Sequence, residues 1–218
     1  MKRLEDLLRK VVSRKDEKGE YSAGYWPVKV RNKLLELIPE YGSFLEIGCG
    51  EGLFLSDLRK HKPNLSLTGV DLWEEILNKA KARFSNDPGV KLVFGKGEKL
   101  PFADNTFDTA AAVNLLINIK GKAVANSIIS ELLRVTKPSG KVLFDLRNKR
   151  SPFLKVQYGL AKYYDTEIKV PLVTYKAEDF DSILGYNEKK VHTCGFPKGK
   201  YAPILVIEAV KKQAKQEQ

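Results

Sequence analysis

Short apolar runs alternate with amphipathic segments through the middle of the chain. Apolar runs bounded by polar or glycine-containing stretches predict buried strands. These runs are Phe44–Ile47, Leu65–Val70, Val90–Phe94, Phe107–Val113 and Lys141–Asp145. Apolar residues at helical spacing predict the helices Glu51–Lys60, Leu72–Phe84, with Trp73, Ile76, Leu77 and Ala80 inward, and Ala123–Val135. Strands separated by helices of this length indicate a parallel sheet with helices on both faces.

Two further strands follow a less regular stretch. Lys189–Cys194 and Ile204–Val210 are joined by a loop without a helix, so they predict an antiparallel hairpin at the sheet edge. The predicted fold class is therefore α/β, with a Rossmann-like doubly wound sheet that is mostly parallel. In such a sheet ligands bind outside the carboxyl ends of the strands.

The remaining segments define the expected domain organisation. Residues 1–42 predict an N-terminal helical cap or helices docked on the domain, and residues 43–210 predict the ligand-binding domain. Within it, residues 147–176 form an expected insertion on the substrate side, and residues 211–218 a polar tail. Aromatic residues flank the expected ligand mouth in two of these segments and are candidate substrate contacts: Tyr21, Tyr25, Trp26 and Tyr158.

A glycine-rich turn follows the first strand. Gly48, Gly50 and Gly52 stand at every second position, which brings backbone N–H groups and a helix start close to a ligand. The dinucleotide fingerprint G-x-G-x-x-G would place its third glycine where Leu53 stands. Glu46 would repel a pyrophosphate at this turn. It suits instead a nucleoside ligand that has a cationic end and no phosphate.

An acidic residue also ends the second predicted strand. Asp71 follows Gly69 and Val70, at a depth where a carboxylate can accept hydrogen bonds from both hydroxyls of a ribose. Aspartate is equally suited to capping the helix that follows. The two roles of Asp71 are compatible.

Four stretches, in this order, resemble class I S-adenosylmethionine-dependent methyltransferases. The likeness is greatest to the subfamily around the quinone-biosynthesis C-methyltransferases. The stretches are Leu45–Gly52, Gly69–Asp71, Leu100–Asp108 and Glu131–Gly140, and the resemblance covers roughly residues 43–146.

The resemblance implies a set of cofactor contacts. S-adenosylmethionine would be the cofactor and S-adenosylhomocysteine its product. Lys96 stands where relatives usually carry an acid near the adenine, so backbone groups are expected to serve there. The implied contacts are Glu46 to the ammonium group, the turn Gly48, Cys49 and Gly50 to the methionine part, Asp71 to the ribose, Leu72, Gly97 and Glu98 to the adenine, and Asn114 and Leu115 near the methionine end.

The sequence indicates no catalytic nucleophile, and the catalytic residues stay unknown. Methyl transfer from a sulfonium requires mainly alignment of the acceptor and exclusion of water. The Asn/Asp-Pro-Pro-Tyr/Phe motif of many nucleic-acid amine methyltransferases is missing at Asn114–Ile117. Three functions remain open: methyl transfer to a small molecule, methyl transfer to RNA or protein, and a non-catalytic role in cofactor binding or interaction.

Composition adds expectations about partners and location. The formal net charge is +11, and residues 147–218 hold 14 basic and 8 acidic side chains. This excess indicates either an anionic partner, such as RNA, a phosphorylated metabolite or a membrane surface, or only a solvated basic surface. Two cysteines, two histidines, an N-terminus without a signal peptide and no long apolar run predict a cytoplasmic protein without a metal site or membrane span. The expected acceptor is a small molecule, with an anionic molecule or RNA as the alternatives that the charge leaves open, and the protein is expected to be a monomer or homodimer.

Overall fold

The computed structural model of the 218-residue chain describes residues 25–156 and 173–213. Tyr21, Tyr158 and the predicted N-terminal segment before residue 25 lie outside the described residues, as does most of the polar tail. Tyr25 begins the first described helix, and only its backbone is described. In the described part of the chain no helix has the length and apolar character that crossing a membrane requires.

Seven strands within the described residues form one sheet. They are β1 (Tyr41–Ile47), β2 (Asn64–Asp71), β3 (Val90–Phe94), β4 (Phe107–Ala112), β5 (Thr136–Arg147), β6 (Glu188–Cys194) and β7 (Ile204–Val210). The sheet order is β3-β2-β1-β4-β5-β7-β6. The first five strands pair in parallel, whereas β7 runs antiparallel between β5 and β6. The predicted doubly wound sheet with an antiparallel edge hairpin is confirmed.

Helices cover both faces of this sheet. The longer ones are α1 (Tyr25–Leu37), α2 (Leu53–His61), α3 (Glu74–Arg83) and α4 (Lys122–Val135). Shorter helical segments are Leu116–Asn118, residues 152–156, Ala177–Phe180, Asp181–Leu184 and Gly199–Tyr201.

The alternation of side chains along the strands divides the core into two clusters. Leu45 and Phe144 pack with Ile129 of α4 on one face. Phe44 and Val206 pack on the other face with apolar side chains of α1 and α2, including Leu34. These six side chains have no exposed surface, and complete burial of each contributes about 1.5–3 kcal/mol.

One predicted side-chain orientation is wrong. Trp73, expected to face inward from a helix beginning at Leu72, is 60% exposed. Its backbone N–H donates to Asp71 Oδ1 at an N–O distance of 2.9 Å, and α3 begins only at Glu74. The helical register that would turn Trp73 toward the core therefore starts after it.

Asp108 joins three strands at the edge of the sheet opposite the glycine turn. It accepts hydrogen bonds from the backbone N–H of Ser43 at 2.8 Å, the Ser43 hydroxyl at 2.6 Å and Lys137 Nζ at 2.8 Å. Burial opposes ionisation, but these hydrogen bonds lower the pKa of Asp108 to about 2. Because the folded pKa lies below the unfolded value, this stabilisation is present above about pH 4 and is lost as pH falls toward 2.

We expect Asp108→Asn to lower the free energy of unfolding by roughly 1 kcal/mol at pH 7, after allowance for solvent screening of a half-exposed carboxylate. The difference from wild type should shrink between pH 4 and pH 2.5, which urea unfolding at several pH values measures. A difference that does not change with pH would mean that Asp108 acts through its shape rather than its charge.

Candidate functional site

The pairing register brings the ends of four strands to one level. Ile47 of β1 lies opposite Val70 of β2 and Ala112 of β4, and Ala112 lies opposite Phe144 of β5. The residues that follow at this edge include a glycine, two aspartates and an asparagine: Gly48, Asp71, Asp145 and Asn114. Residues that are far apart in the sequence therefore meet at the carboxyl edge, where a doubly wound sheet binds ligands.

The turn after β1 depends on glycine. Gly48, Gly50 and Gly52 have φ values of +72°, +54° and +79°, in the left-handed region that side chains disfavour. The N–H of Gly48 donates to the Val70 carbonyl at 2.7 Å, which ties the turn to β2. A Cβ on Gly48 would lie 2.7 Å from Leu115 Cδ1, so the backbone approaches the loop after β4 closely.

Glu46 is a buried carboxylate immediately before this turn. It is 3% exposed, and its Oε2 atom has no hydrogen-bond partner among the described residues. Burial raises the pKa of Glu46 well above its ordinary value; Arg31 opposes the rise, while Asp71 and Asp57 add to it. A buried carboxylate oxygen without a donor is an unfavourable arrangement that a cationic ligand group would relieve.

Asp71 is held in a fixed orientation at the end of β2. Its Oδ2 accepts the N–H of Gly50 at 2.8 Å, and its Oδ1 accepts that of Trp73 at 2.9 Å. A carboxylate has about four acceptor positions, so each oxygen can still accept one hydroxyl. The residue at the helix N-cap is Trp73, not Asp71, although the Asp71 side chain does hold the Trp73 N–H.

Large apolar side chains stand exposed beside Asp71. Leu72 is 45% exposed, Trp73 60% and Phe94, which lies opposite Asp71 in the register, 56%. Exposed apolar groups at a strand edge suit a flat heteroaromatic ring. The structure places the predicted adenine contact Leu72 here.

The loop after β3 also lies at this edge. A Cβ on Gly97 would lie 2.7 Å from Ile47 Cγ2, so only glycine allows this loop to approach the end of β1. The neighbouring side chains of Lys96 and Glu98 are exposed. This arrangement leaves backbone groups as the nearest part of the loop to β1.

Asn114 and Leu115 follow β4 at the centre of the edge. Asn114 has φ +52°, and its N–H donates to Asp145 Oδ1 at 2.6 Å. Its side-chain oxygen accepts Arg147 Nη2 at 3.0 Å. Asp145 and Arg147 are 1% and 4% exposed and form an ion pair at 2.8 Å, so a buried charge pair holds Asn114 in its strained conformation.

Sequence reasoning missed three of these supporting residues. Arg31, 2% exposed on α1, donates to Asp57 Oδ2 at 2.7 Å and acts electrostatically on Glu46. Helical spacing with Leu34 and Ile38 was the signal that places Arg31 on the buried face. For Asp145 and Arg147 the signal was their separation by two residues at the end of a strand, which puts both side chains on one face.

The sulfur-containing and aromatic candidates have mainly packing contacts. Cys49 is buried, and burial raises the pKa of its thiol, which keeps it protonated. Trp26 packs edge-on against Phe153 with ring centroids 5.9 Å apart, and a Cβ on Gly195 would lie 2.8 Å from Trp26. A substrate contact of Trp26 therefore stays a prediction. In the described ranges no group of three or more His, Cys, Asp or Glu residues could hold a metal ion.

Comparison with known proteins identifies the domain. Residues 45–144 match the family model described as a methyltransferase domain. This part of the chain is a methyltransferase domain. The resemblance carried by the four sequence stretches is thereby confirmed. S-adenosylmethionine is the cofactor that goes with this domain class.

Two curated relatives and one solved structure illustrate the similarity. The methyltransferase domain resembles the ubiquinone/menaquinone biosynthesis C-methyltransferase UbiE of Desulfotalea psychrophila, with 30% identity over 126 residues, 58% of this chain and 49% of the relative. It is 34% identical over 118 residues to the demethylmenaquinone methyltransferase of Staphylococcus aureus, covering 53% of this chain and 48% of that one. The chain thus spans about half the length of these relatives.

The solved structure shows likeness of fold. Magnesium protoporphyrin IX methyltransferase (ChlM) from Synechocystis, with bound S-adenosylhomocysteine, superposes with a TM-score of 0.66 at 16% identity. The match covers 89% of this chain and 90% of that chain. The similarity in fold therefore extends well beyond the 100 residues of the family match.

Proposed function

We propose that this chain is an S-adenosylmethionine-dependent methyltransferase that transfers a methyl group to a small-molecule acceptor. The observation that carries the proposal is the buried Glu46 oxygen without a donor, next to a left-handed glycine turn. An α-ammonium group would supply the missing donor. Asp71 has acceptor positions left for a ribose, and Leu72 offers an apolar surface to the adenine.

Within this proposal the residues of the chain hold and orient. When bound, S-adenosylmethionine supplies an electrophilic methyl group, whose bond to sulfur breaks with its electron pair remaining on sulfur while a new bond forms to the acceptor. Glu46, Asp71 and the backbone of Gly48, Cys49 and Gly50 would hold the cofactor. Alignment and exclusion of water then provide most of the acceleration.

A protein nucleophile is not part of the proposed reaction. The Cys49 thiol is protonated, because burial raises its pKa. His192 Nε2 lies 2.8 Å from Glu208 Oε2 on the edge strands, away from the glycine turn. The proton released by the methyl acceptor would pass to solvent.

The proposal also names the class of molecule that accepts the methyl group. The curated relatives are named for methylation of quinone precursors, which supports a small organic acceptor. The net charge of +11 favours RNA as the second candidate. A cytoplasmic location, supported by two unpaired cysteines, belongs to the same proposal.

We expect isothermal titration of the chain to show S-adenosylmethionine and S-adenosylhomocysteine binding with dissociation constants below about 1 mM, in the usual range of enzyme substrates. NAD should not bind, because Glu46 lies where its pyrophosphate would have to approach. Exposed Trp73 provides a fluorescence signal for the same titration. Binding of NAD without binding of S-adenosylmethionine would overturn the proposed function.

A further inference from the structure

A cavity of about 620 Å³ lies beside the methyltransferase edge, where β5 ends and β7 begins. Cations dominate its lining within the described residues: Lys149, Arg150, Lys155, Lys176, Lys200 and Tyr201. The volume lies in the range of sites for small organic molecules. None of the cofactor-site residues discussed above lines it, so this is a separate site.

A buried asparagine fixes the walls of this basic cavity relative to one another. Asn148 is 1% exposed, and its side-chain amide donates to the carbonyls of Lys200 at 3.0 Å and Ala202 at 2.8 Å. Its side-chain oxygen accepts the N–H of Arg150 at 3.0 Å. The backbone of two lining segments therefore meets at one buried side chain.

A second backbone contact joins the third wall. The N–H of Lys149 donates to the Tyr175 carbonyl at 2.9 Å, which sets Lys149 beside Lys176. Most side chains that line the cavity are lysines, and the backbone that carries Lys149 and Lys200 is hydrogen-bonded to neighbouring segments. The cations consequently cluster because of the fold rather than through chance orientations of surface side chains.

Most of these cations lack an internal counter-ion. Arg150 pairs with Glu178 at 2.7 Å. Among the described residues, the side chains of Lys149, Lys155, Lys176 and Lys200 form no ion pair. Like charges gathered in one concavity produce a positive potential that attracts anions.

The basic cavity begins close to the expected reaction centre. Arg147, whose side chain contacts Asn114, lies two residues before Lys149, so their Cα atoms are at most about 7 Å apart. The segment that carries Lys176 is connected to the loop after β4, because the N–H of Val173 donates to the Ile117 carbonyl at 2.8 Å. The basic cavity and the loop that carries Asn114 are therefore neighbours in the fold.

We propose that the basic cavity binds an anionic group, phosphate or carboxylate, of a small-molecule methyl acceptor. This inference rests on the proposed function for its link to methyl transfer, whereas anion binding can be tested without turnover. The cations gathered within about 620 Å³ on a fixed backbone favour a compact anion over an extended nucleic acid. The proposal also places five of the basic residues in the last third of the chain in one binding site.

The test uses inorganic pyrophosphate and citrate as phosphate and carboxylate probes, with calorimetry on the full chain. The test variant is Lys149→Ala combined with Lys200→Ala, and the matched control is Lys60→Ala combined with Lys81→Ala. Lys60 and Lys81 are exposed in the last turns of α2 and α3, at the opposite edge of the sheet. We expect at least about tenfold weaker probe binding in the test variant and less than twofold change in the control.

The possible outcomes separate this inference from the proposed function. Binding of S-adenosylmethionine should be unchanged in both variants. If the chain binds that cofactor but neither probe, or if both variants weaken the probes equally, the cavity proposal is wrong and the function stands. If the cofactor does not bind at all, the proposed function fails first.

Comparison of the probes with one another and with RNA identifies the chemical class of the ligand. Preference for pyrophosphate or for citrate supports a phosphate or a carboxylate group, respectively. A single-stranded RNA oligonucleotide that binds more tightly than either probe, with a steep dependence on salt that the Lys149/Lys200 variant reduces, would overturn the small-molecule proposal in favour of nucleic acid. Thermal unfolding of each variant verifies that the exposed substitutions leave the fold intact.

Discussion

Asp71→Ala is expected to weaken S-adenosylmethionine binding by about 100-fold or more. The substitution removes the acceptor for two ribose hydroxyls, and each hydrogen bond to a charged group is worth about 1.5–3 kcal/mol. It also releases the N–H groups of Gly50 and Trp73, which the carboxylate now holds. The turn that approaches the cofactor then keeps only the N–H contacts of Gly48 and Cys49 with the Val70 carbonyl of β2.

Calorimetry with a matched control separates these two effects. Asp87 is a comparable aspartate outside the site, since it accepts the N–H of Gly89 at 3.0 Å and Arg59 Nε at 2.7 Å. Asp87→Ala should lower stability with little change in cofactor affinity. Asp71→Asn, which keeps one oxygen acceptor, should bind more weakly than wild type but better than Asp71→Ala. Nearly normal affinity in Asp71→Ala would leave this residue as a structural link only.

The fold could be predicted because its signals are local. Apolar runs between amphipathic segments identify strands and helices without knowledge of their partners. The ends of elements could not be predicted as well. Tyr41–Ser43 lacks an apolar pattern and becomes part of β1 because it pairs with Asn64–Ser66 of β2. Trp73 was placed wrongly because its backbone N–H donates to the Asp71 carboxylate, which delays the start of α3.

The site, too, has residues that local motifs predict and residues that only contacts between distant parts of the chain bring in. Glu46, Gly48 and Asp71 lie in short motifs, and their spacing in the sequence already indicates how close they come. Arg31 becomes important only because α1 docks beside β1 and α2, a contact between distant parts of the chain. The basic cavity likewise gathers residues from three segments, so a net charge alone could not distinguish it from a solvated surface.

The second large effect is expected at Glu46, where stability and binding should change in opposite directions. The pKa of Glu46 is raised in the folded protein, so the wild type loses stability as pH rises above the unfolded value of about 4.5 toward the folded value. Glu46→Gln removes this buried charge. Arg31 keeps its partner Asp57, so no new unpaired charge results. Unfolding of the variant should require about 1 kcal/mol more at pH 8 and no more at pH 4.5.

Cofactor binding should respond in the opposite sense. Without the charged acceptor for the ammonium group, Glu46→Gln should bind S-adenosylmethionine about 10- to 100-fold more weakly, and the cofactor should raise its unfolding midpoint less than in wild type. Glu208→Gln is the control. Although burial opposes it, hydrogen bonds from Lys141 and His192 lower the pKa of Glu208, so its loss should destabilise the protein at pH 8 and leave cofactor affinity unchanged.

A purely structural role for Glu46 would not change the free energy of unfolding and the cofactor affinity in opposite directions. If Glu46 served packing alone, its amide isostere would leave cofactor affinity near the wild-type value whatever happened to stability. A gain in stability together with a loss of affinity instead means that the turn holds an unfavourable buried carboxylate because the ligand completes it. The Oε2 atom of Glu46, which has no hydrogen-bond donor among the described residues, would then be the acceptor for the ammonium group of the cofactor.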